Sequence, residues 1–391
     1  MQQALSASCR VERGPLLALA EEARSWLFKH LLPLWATNGR DPSGGYHDQL
    51  DATGSPRHLP KRCRVQTRQV YVFAEAGQMG WDGPWRECVD HGVGFLRSAF
   101  LRDDGFMRCK VAGSGAVLDD SVDNYDQAFA LFAFAKAFAA TADVSFKEQA
   151  LGLLSALRSE RAHALGGFYE AVPPSIPLRS NPHMHLFEAA VAWVEAAQLV
   201  EFRALADEIA ALCANCFMYG EHGALMECFD LDWKPIAEAD GHVAEPGHQF
   251  EWAWLLLRWH GLGGIVDLDL PRKLYAFAGD RGVDHGRGVA INEVYHDGRI
   301  RDATARLWPQ TERLKAALAM LELGEGSVID VATSWEGLKL YFLPDNPGLF
   351  HDKLRVDGRF HEEAAFASSL YHITCAISEL VRVADGQTAR G

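Results

Sequence analysis

Apolar residues recur at three- and four-residue steps along nearly the whole chain, the spacing of amphipathic helices. Twelve stretches are predicted as helices: residues 16–35, 65–79, 84–101, 125–140, 146–158, 184–200, 203–217, 249–260, 270–278, 307–323, 328–342 and 364–383. Several even-numbered stretches are apolar on almost every side, as in Ala128-Phe129-Ala130-Leu131-Phe132-Ala133-Phe134, and predict helices buried all round. The odd-numbered ones carry more charge, as in Glu21-Glu22-Ala23-Arg24, and predict helices with one face in water.

Inside each helix pair stands a repeated phrase of glycine followed by apolar or aromatic residues. It occurs at Gly44-Gly45-Tyr46-His47, Gly105-Phe106-Met107-Arg108 and Gly166-Gly167-Phe168-Tyr169. It returns at Gly223-Ala224-Leu225-Met226, Gly288-Val289-Ala290-Ile291 and Gly348-Leu349-Phe350-His351. Copies fall about sixty residues apart, a self-similarity that marks a repeat architecture. Second turn signals such as Asp297-Gly298 and Asp357-Gly358 follow several copies, so each reads as a short β-hairpin. No linker divides the chain. The expected fold is all-α: a single (α/α)6 barrel over residues 1–391, with charged helices outside and apolar helices inside. Short β-hairpins sit in its loops, and short tails are expected at about 1–13 and 385–391.

Composition sharpens this picture. Length alone, at 391 residues, suggests two or three domains, and the repeat reduces them to one. With 48% hydrophobic and 23% charged residues, the chain can bury a large core, which excludes disorder and small disulfide scaffolds. The balance of 38 basic against 52 acidic residues gives a net charge of −14, which argues against nucleic acid or an anionic membrane as partner. Eight scattered cysteines do not make a disulfide framework. No apolar run suits a signal peptide or a membrane span, so a soluble cytoplasmic protein with reduced thiols is expected. A small-molecule substrate is the expected partner, and a homodimer is left open.

Polar residues collect where the even helices begin. Gln66-Thr67-Arg68-Gln69 opens the second, Asp123-Asn124-Tyr125-Asp126 the fourth, and Asn181-Pro182-His183-Met184-His185 the sixth. His248-Gln249-Phe250-Glu251 follows in the eighth, Trp308-Pro309-Gln310-Thr311-Glu312 in the tenth, and Ser368-Ser369-Leu370-Tyr371-His372 in the twelfth. His185 and Glu188 are three residues apart, as are His248 and Glu251, so each pair shares a helix face. A carboxylate beside an imidazole fixes its tautomer and raises its basicity, which suits general-base work near neutral pH. Trp308 and Glu312 are likewise co-facial, an apolar wall with a hydroxyl acceptor. Singly, each of these residues serves packing as readily as chemistry. Their recurrence at one place in six repeats predicts a shared cavity.

The segments QTRQVYVFA from Gln66, NPHMHLFEA from Asn181, PGHQFEWAWLL from Pro246, LWPQTERLKA from Leu307 and SSLYHI from Ser368 resemble the N-acylglucosamine 2-epimerase superfamily. That superfamily includes N-acetylglucosamine and cellobiose 2-epimerases and metal-independent mannose isomerases. The resemblance runs from about residue 14 to residue 383. It implies an (α/α)6 barrel and a reaction at carbons 1 and 2 of a reducing sugar. By motif, His248 and His372 match the histidine pair that moves protons. His185 matches a third histidine that polarises or opens the ring, and Arg68 an arginine that holds the developing oxyanion. Glu251 and Glu312 match carboxylates that orient histidines or bind hydroxyls. Tyr125, Asn181 and Trp308 match substrate contacts, and Glu188 and Tyr371 complete the expected binding set. Ser368 stands where some mannose isomerases carry a larger amide, which leaves recognition of the sugar's far end open.

The resemblance implies metal-independent aldose–ketose isomerisation of a mannose-type sugar, with 2-epimerisation of N-acetylglucosamine, mannose or cellobiose as the alternative. Isomerisation of mannose 6-phosphate and inverting glycoside hydrolysis are the lesser readings. Lys61-Arg62-Cys63-Arg64 offers either a phosphate grip or a solvated charge run. No cofactor is expected, since no phosphate loop is found. No metal is expected either: His183 and His185 point apart on a helix, and Cys213-Ala214-Asn215-Cys216 is one CxxC without a second.

Overall fold

The computed structural model describes residues 2–220, 222–236 and 242–386, with side chains from residue 14 onward. The chain begins with α1 (Gln2–Trp26), which reaches into the segment read as a tail, passes through a π turn (Leu27–Leu31) and continues as α2 (Leu32–Thr37). Then follow α3 (Cys63–Gln78), α4 (Trp85–Phe95) with a π turn at Leu96–Phe100, α5 (Asn124–Thr141) and α6 (Ser145–Arg161). The middle holds α7 (Ser180–Ala197), α8 (Val200–Leu212) with a π turn at Cys213–Phe217, α9 (Pro246–Gly261) and α10 (Asp269–Gly282). The last three are α11 (Leu307–Glu322), α12 (Val328–Lys339) and α13 (Ser369–Ala384). Residues 387–391 of the expected C-terminal tail lie outside the described residues.

The fold is an (α/α)6 barrel. Inside, α3, α5, α7, α9, α11 and α13 pack side by side in that order, and α13 returns to α3 to close the ring. Outside, α4, α6, α8, α10 and α12 each cover the inner helix next to them in sequence, while α1 covers α13. The inner helices are near-continuously buried because both sides meet protein, as the apolar run in α5 requires.

Short hairpins join each outer helix to the following inner one, and a repeated amide clasp fixes them. The Gln66 side chain accepts from the Tyr46 N–H at 2.7 Å and donates to the Tyr46 carbonyl at 3.0 Å. Gln127 does the same to Met107, Gln249 to Leu225 and Gln310 to Ala290, all at 2.7–2.9 Å. In the third repeat His183 Nε2 accepts from the Phe168 N–H at 2.9 Å. In the first and third repeats the glycine before the clasp is a steric necessity. At Gly45, with φ +68°, a Cβ would stand 2.4 Å from Gln66 Oε1. Part of the polar recurrence at the inner helix starts is therefore scaffold rather than chemistry.

Several boundaries move by three or four residues, and two departures have a visible cause. The stretch 364–383 begins as a strand, not a helix: Ala365–Phe366 pairs antiparallel with Gln49–Leu50, joining the last repeat to the first. Its small apolar residues fit either period, and the open edge of Gln49–Leu50 decides. The stretch 184–200 stops early because Gln198 turns left-handed at φ 53°.

Candidate active site

The N-termini of the inner helices converge at one end of the ring, around a cavity of about 180 Å³. Arg68, Tyr125, Asn181, His185, His248, Glu251, Trp308 and His372 line it, so eight predicted residues come together. Glu188, Glu312 and Tyr371 stand one layer back: Glu188 holds His185, Glu312 holds His372, and Tyr371 bonds Glu188. Glu245, Arg306, Ser368 and Ser369 complete the wall.

Each cavity histidine is held through Nδ1 by a carboxylate, which leaves Nε2 for the cavity. His248 meets Glu227 Oε2 at 3.0 Å and Glu245 Oε2 at 3.9 Å. His372 meets Glu312 Oε1 at 2.9 Å, and His185 meets Glu188 Oε2 at 3.1 Å. The expected His185–Glu188 pair therefore forms, whereas His248 turns from Glu251 to the hairpin residue Glu227. Glu251 instead lies 4.0 Å from His185 Nδ1, and neither of its buried oxygens has a hydrogen-bond partner. Tyr371 donates to Glu188 at 2.6 Å.

The Trp308 ring stands between the two proton-transfer candidates, 5.0 Å from the His248 ring and 5.7 Å from that of His372. Arg68 enters from α3, where its Nη2 donates to the Tyr125 hydroxyl at 2.6 Å and its Nη1 to the Ser368 carbonyl at 3.4 Å. Its guanidinium lies 4.1 Å from the Phe129 ring centre and 5.1 Å from that of Tyr371. Aromatic faces thus hold this cation where water is scarce.

The electrostatics split the histidines. Burial works against a charged His248, but Glu227 and Glu245 outweigh it and raise its pKa to about 10. Burial lowers His372 well below its ordinary value, with the positive charges of Arg68 and Lys315 adding to the effect. Burial also lowers His185, to about 4, against the pull of Glu188. Glu227 and Glu245 thus favour the charged form of His248, and burial the neutral form of His372. Acid and base roles are sought where environments push paired groups apart in this way.

At the cavity, three clusters among the described residues have donor atoms close enough to gather round a cation: His185 with Glu188 and Glu251, His248 with Glu227 and Glu245, and His372 with Glu251 and Glu312. In each the imidazole Nδ1 already faces a carboxylate. Between Glu251 and Glu312 the Lys315 ammonium supplies the positive charge, 2.6 Å from Glu312 Oε2. Cys213 and Cys216 sit in the π turn after α8 as two free thiols.

A ring of acid and base groups round one small polar cavity defines an enzyme rather than a scaffold or a docking module. Residues 44–376 match the N-acylglucosamine 2-epimerase (GlcNAc 2-epimerase) family. The chain belongs to that family and is an enzyme of its sugar epimerase and isomerase class. A mannose-6-phosphate isomerase of Rhizobium meliloti is 41% identical over 92% of this chain and 96% of its own length. A D-mannose isomerase of Marinomonas mediterranea is 25% identical over 71% of this chain and 74% of its own. The cellobiose 2-epimerase of Spirochaeta thermophila superposes with a TM-score of 0.84 at 21% identity, covering 95% of this chain and 98% of that one. No helix among the described residues is long and apolar enough to cross a membrane.

Proposed function

We propose that this enzyme interconverts a mannose-type aldose and the corresponding 2-ketose through a cis-enediol. The observation that carries the reading is the placement of His248 and His372 about Trp308, each held by a carboxylate at Nδ1, in surroundings that raise the pKa of the first and lower that of the second. In the open-chain sugar, neutral His372 takes the proton from carbon 2 through Nε2. The electron pair left behind forms the carbon 1–carbon 2 double bond, and the carbonyl π electrons move to oxygen 1. Protonated His248 delivers its proton to that oxygen, while Arg68 balances the negative charge as it develops. His372 then returns its proton to carbon 1, His248 recovers one from the carbon 2 hydroxyl, and the ketose results. His185, neutral and paired to Glu188, serves ring opening.

The same pair also fits 2-epimerisation, with His248 delivering its proton to the opposite face of carbon 2. The names of the two sequence relatives favour the isomerase. Glycoside hydrolysis finds less support, because Glu188, Glu227 and Glu312 are each engaged by a histidine instead of standing free as an acid–base pair.

A neutral hexose suits the cavity mouth. Lys61 is paired with Asp41, Arg62 with Asp48, and Arg64 with Asp123 and Asp126, so the basic run is neutralised where it stands. Arg306 is the cation at the mouth and lies 3.3 Å from Asp352. The 41% relative supports a second reading, in which Arg306 turns to a sugar phosphate.

Incubation with mannose, mannose 6-phosphate, N-acetylglucosamine and cellobiose in deuterated water, followed by NMR, tests all of this. Ketose from mannose is the expected product. An epimer without ketose would overturn the isomerase reading, and turnover of the phosphate ester alone would move the substrate to the second reading. His372→Ala is expected to lower kcat at least ~100-fold, the scale of a lost general base.

A further inference from the structure

Lys315 lies on α11 three residues after Glu312 and is fully buried. A buried ammonium is costly unless carboxylates compensate it, so its surroundings should explain it. Its Nζ stands 2.6 Å from Glu312 Oε2, 3.9 Å from Glu251 Oε1 and 3.8 Å from the Trp254 ring centre. The groups facing it are Glu188 from α7, Glu251 and Trp254 from α9, Glu312 from its own helix and Cys375 from α13. Burial opposes its charge, yet these neighbours hold it protonated, above the ordinary lysine value. Glu312 uses its other oxygen, Oε1, for His372 Nδ1 at 2.9 Å. A line of contacts therefore runs from ammonium to carboxylate to imidazole, and its last atom, Nε2, faces the cavity.

We propose that Lys315 is a positioning residue for proton transfer: it keeps Glu312 a carboxylate, and Glu312 holds His372 with Nδ1–H inward and the Nε2 lone pair toward the sugar. Three buried glutamates this close cannot all ionise unaided, because like charges at short range raise one another's pKa. Without the ammonium, Glu312 takes up a proton and offers it to Nδ1. The tautomer then inverts, and the lone pair faces away from carbon 2. This proposal rests on His372 being the base.

The test uses Lys315→Met, which keeps the length of the side chain and removes the charge. We expect kcat to fall about 10–100-fold, the usual cost of losing an orienting partner, while KM stays within about threefold. The acid limb of the kcat–pH profile should move to higher pH, because Glu312 then needs less acid to be protonated. On a Glu312→Gln background the same change should cost less than about threefold, since the route to His372 is already cut. A Lys315→Met enzyme with kcat within about twofold of wild type and the same pH profile would overturn the proposal. A further tenfold loss on the Glu312→Gln background, at an unchanged melting temperature, would also overturn it. If Lys315→Met does not fold, the double variant carries the test, because it removes both charges together. It is expected to match Glu312→Gln in kcat and pH profile, and a profile unlike that variant's counts against the proposal. Movement of deuterium from carbon 2, whether to carbon 1 or to solvent, is measured first in the wild type and in His372→Ala. Its survival at the wild-type rate in His372→Ala brings down the base assignment and this proposal together, whereas its loss there beside a silent lysine variant brings down only the lysine.

Discussion

Glu227 has more control over the chemistry than its place in a hairpin suggests. With Glu245 it sets the charge of His248, and folding gains from that charge. The raised pKa means this stabilisation is complete below about 6.5 and is lost as pH rises through about 10. Activity that needs a protonated His248 is expected to fall on the same alkaline side. Glu227→Gln should bring that limb down by more than one pH unit, which a kcat–pH profile between pH 6 and about 11 reads directly. The three histidines, Arg68 and Trp308 were legible in the sequence because helix starts face a common axis in a closed ring. Glu227 was not, because sequence spacing pairs a histidine with residues on its own helix, whereas His248 takes a partner from a hairpin. Glu245 and Lys315, three residues from His248 and Glu312, did have helical spacing, but it had to compete with Glu251 for His248 and says nothing of burial. One signal was available: Asp48, Glu170, Glu227 and Asp352 each follow by two residues the clasped residue, or its equivalent, in a repeat phrase.

At the scale of elements, the twelve helices were readable because burial on one side or on both writes different patterns. The hairpins were readable from their glycines. Their fastening was not, since an amide that reaches back about twenty residues to a backbone has no period to betray it. Gln127 offers a clean test, because the Met107 hairpin it clasps lies apart from the residues that line the cavity. Gln127→Ala leaves a buried N–H and a buried carbonyl unpaired, at a cost of about 1–3 kcal/mol for each such group. Chemical denaturation should report this loss of stability, with KM unchanged. The strand at Ala365–Phe366 belongs to the same scale: local pattern favoured helix there, and a partner more than three hundred residues away prevailed.

For the whole molecule, a buried charge cluster ties four inner helices together at the end opposite the cavity. There Glu379 of α13 accepts from Trp254 of α9 at 3.1 Å and from Arg382 at 3.0 Å, and it lies 3.5 Å from Arg258. Arg382 continues to Glu322 of α11 at 2.8 Å, and Arg258 to Glu195 of α7. Burial would raise the Glu379 pKa, but the two guanidinium groups hold it well below the usual carboxylate range. Its contribution is therefore present above that range and lost as pH falls through it. Glu379→Gln leaves Arg258 and Arg382 with Glu195 and Glu322 as their carboxylates and is expected to cost about 1.5–3 kcal/mol, the worth of hydrogen bonds to a charged group, visible as a lower melting temperature. The wild type should lose more stability on acidification than the variant does. The ring itself was legible from the sixty-residue repeat, but this buried lock was not, because its members are spread over four helices.

The amide clasps have a consequence for how such a molecule can change. Each fastens the root of a hairpin to the start of an inner helix, so Glu227, two positions past the Leu225 clasp, reaches His248 from a fixed place. Order thus passes from the loops into the site: an enzyme of this build cannot loosen that hairpin and keep the charge of its histidine.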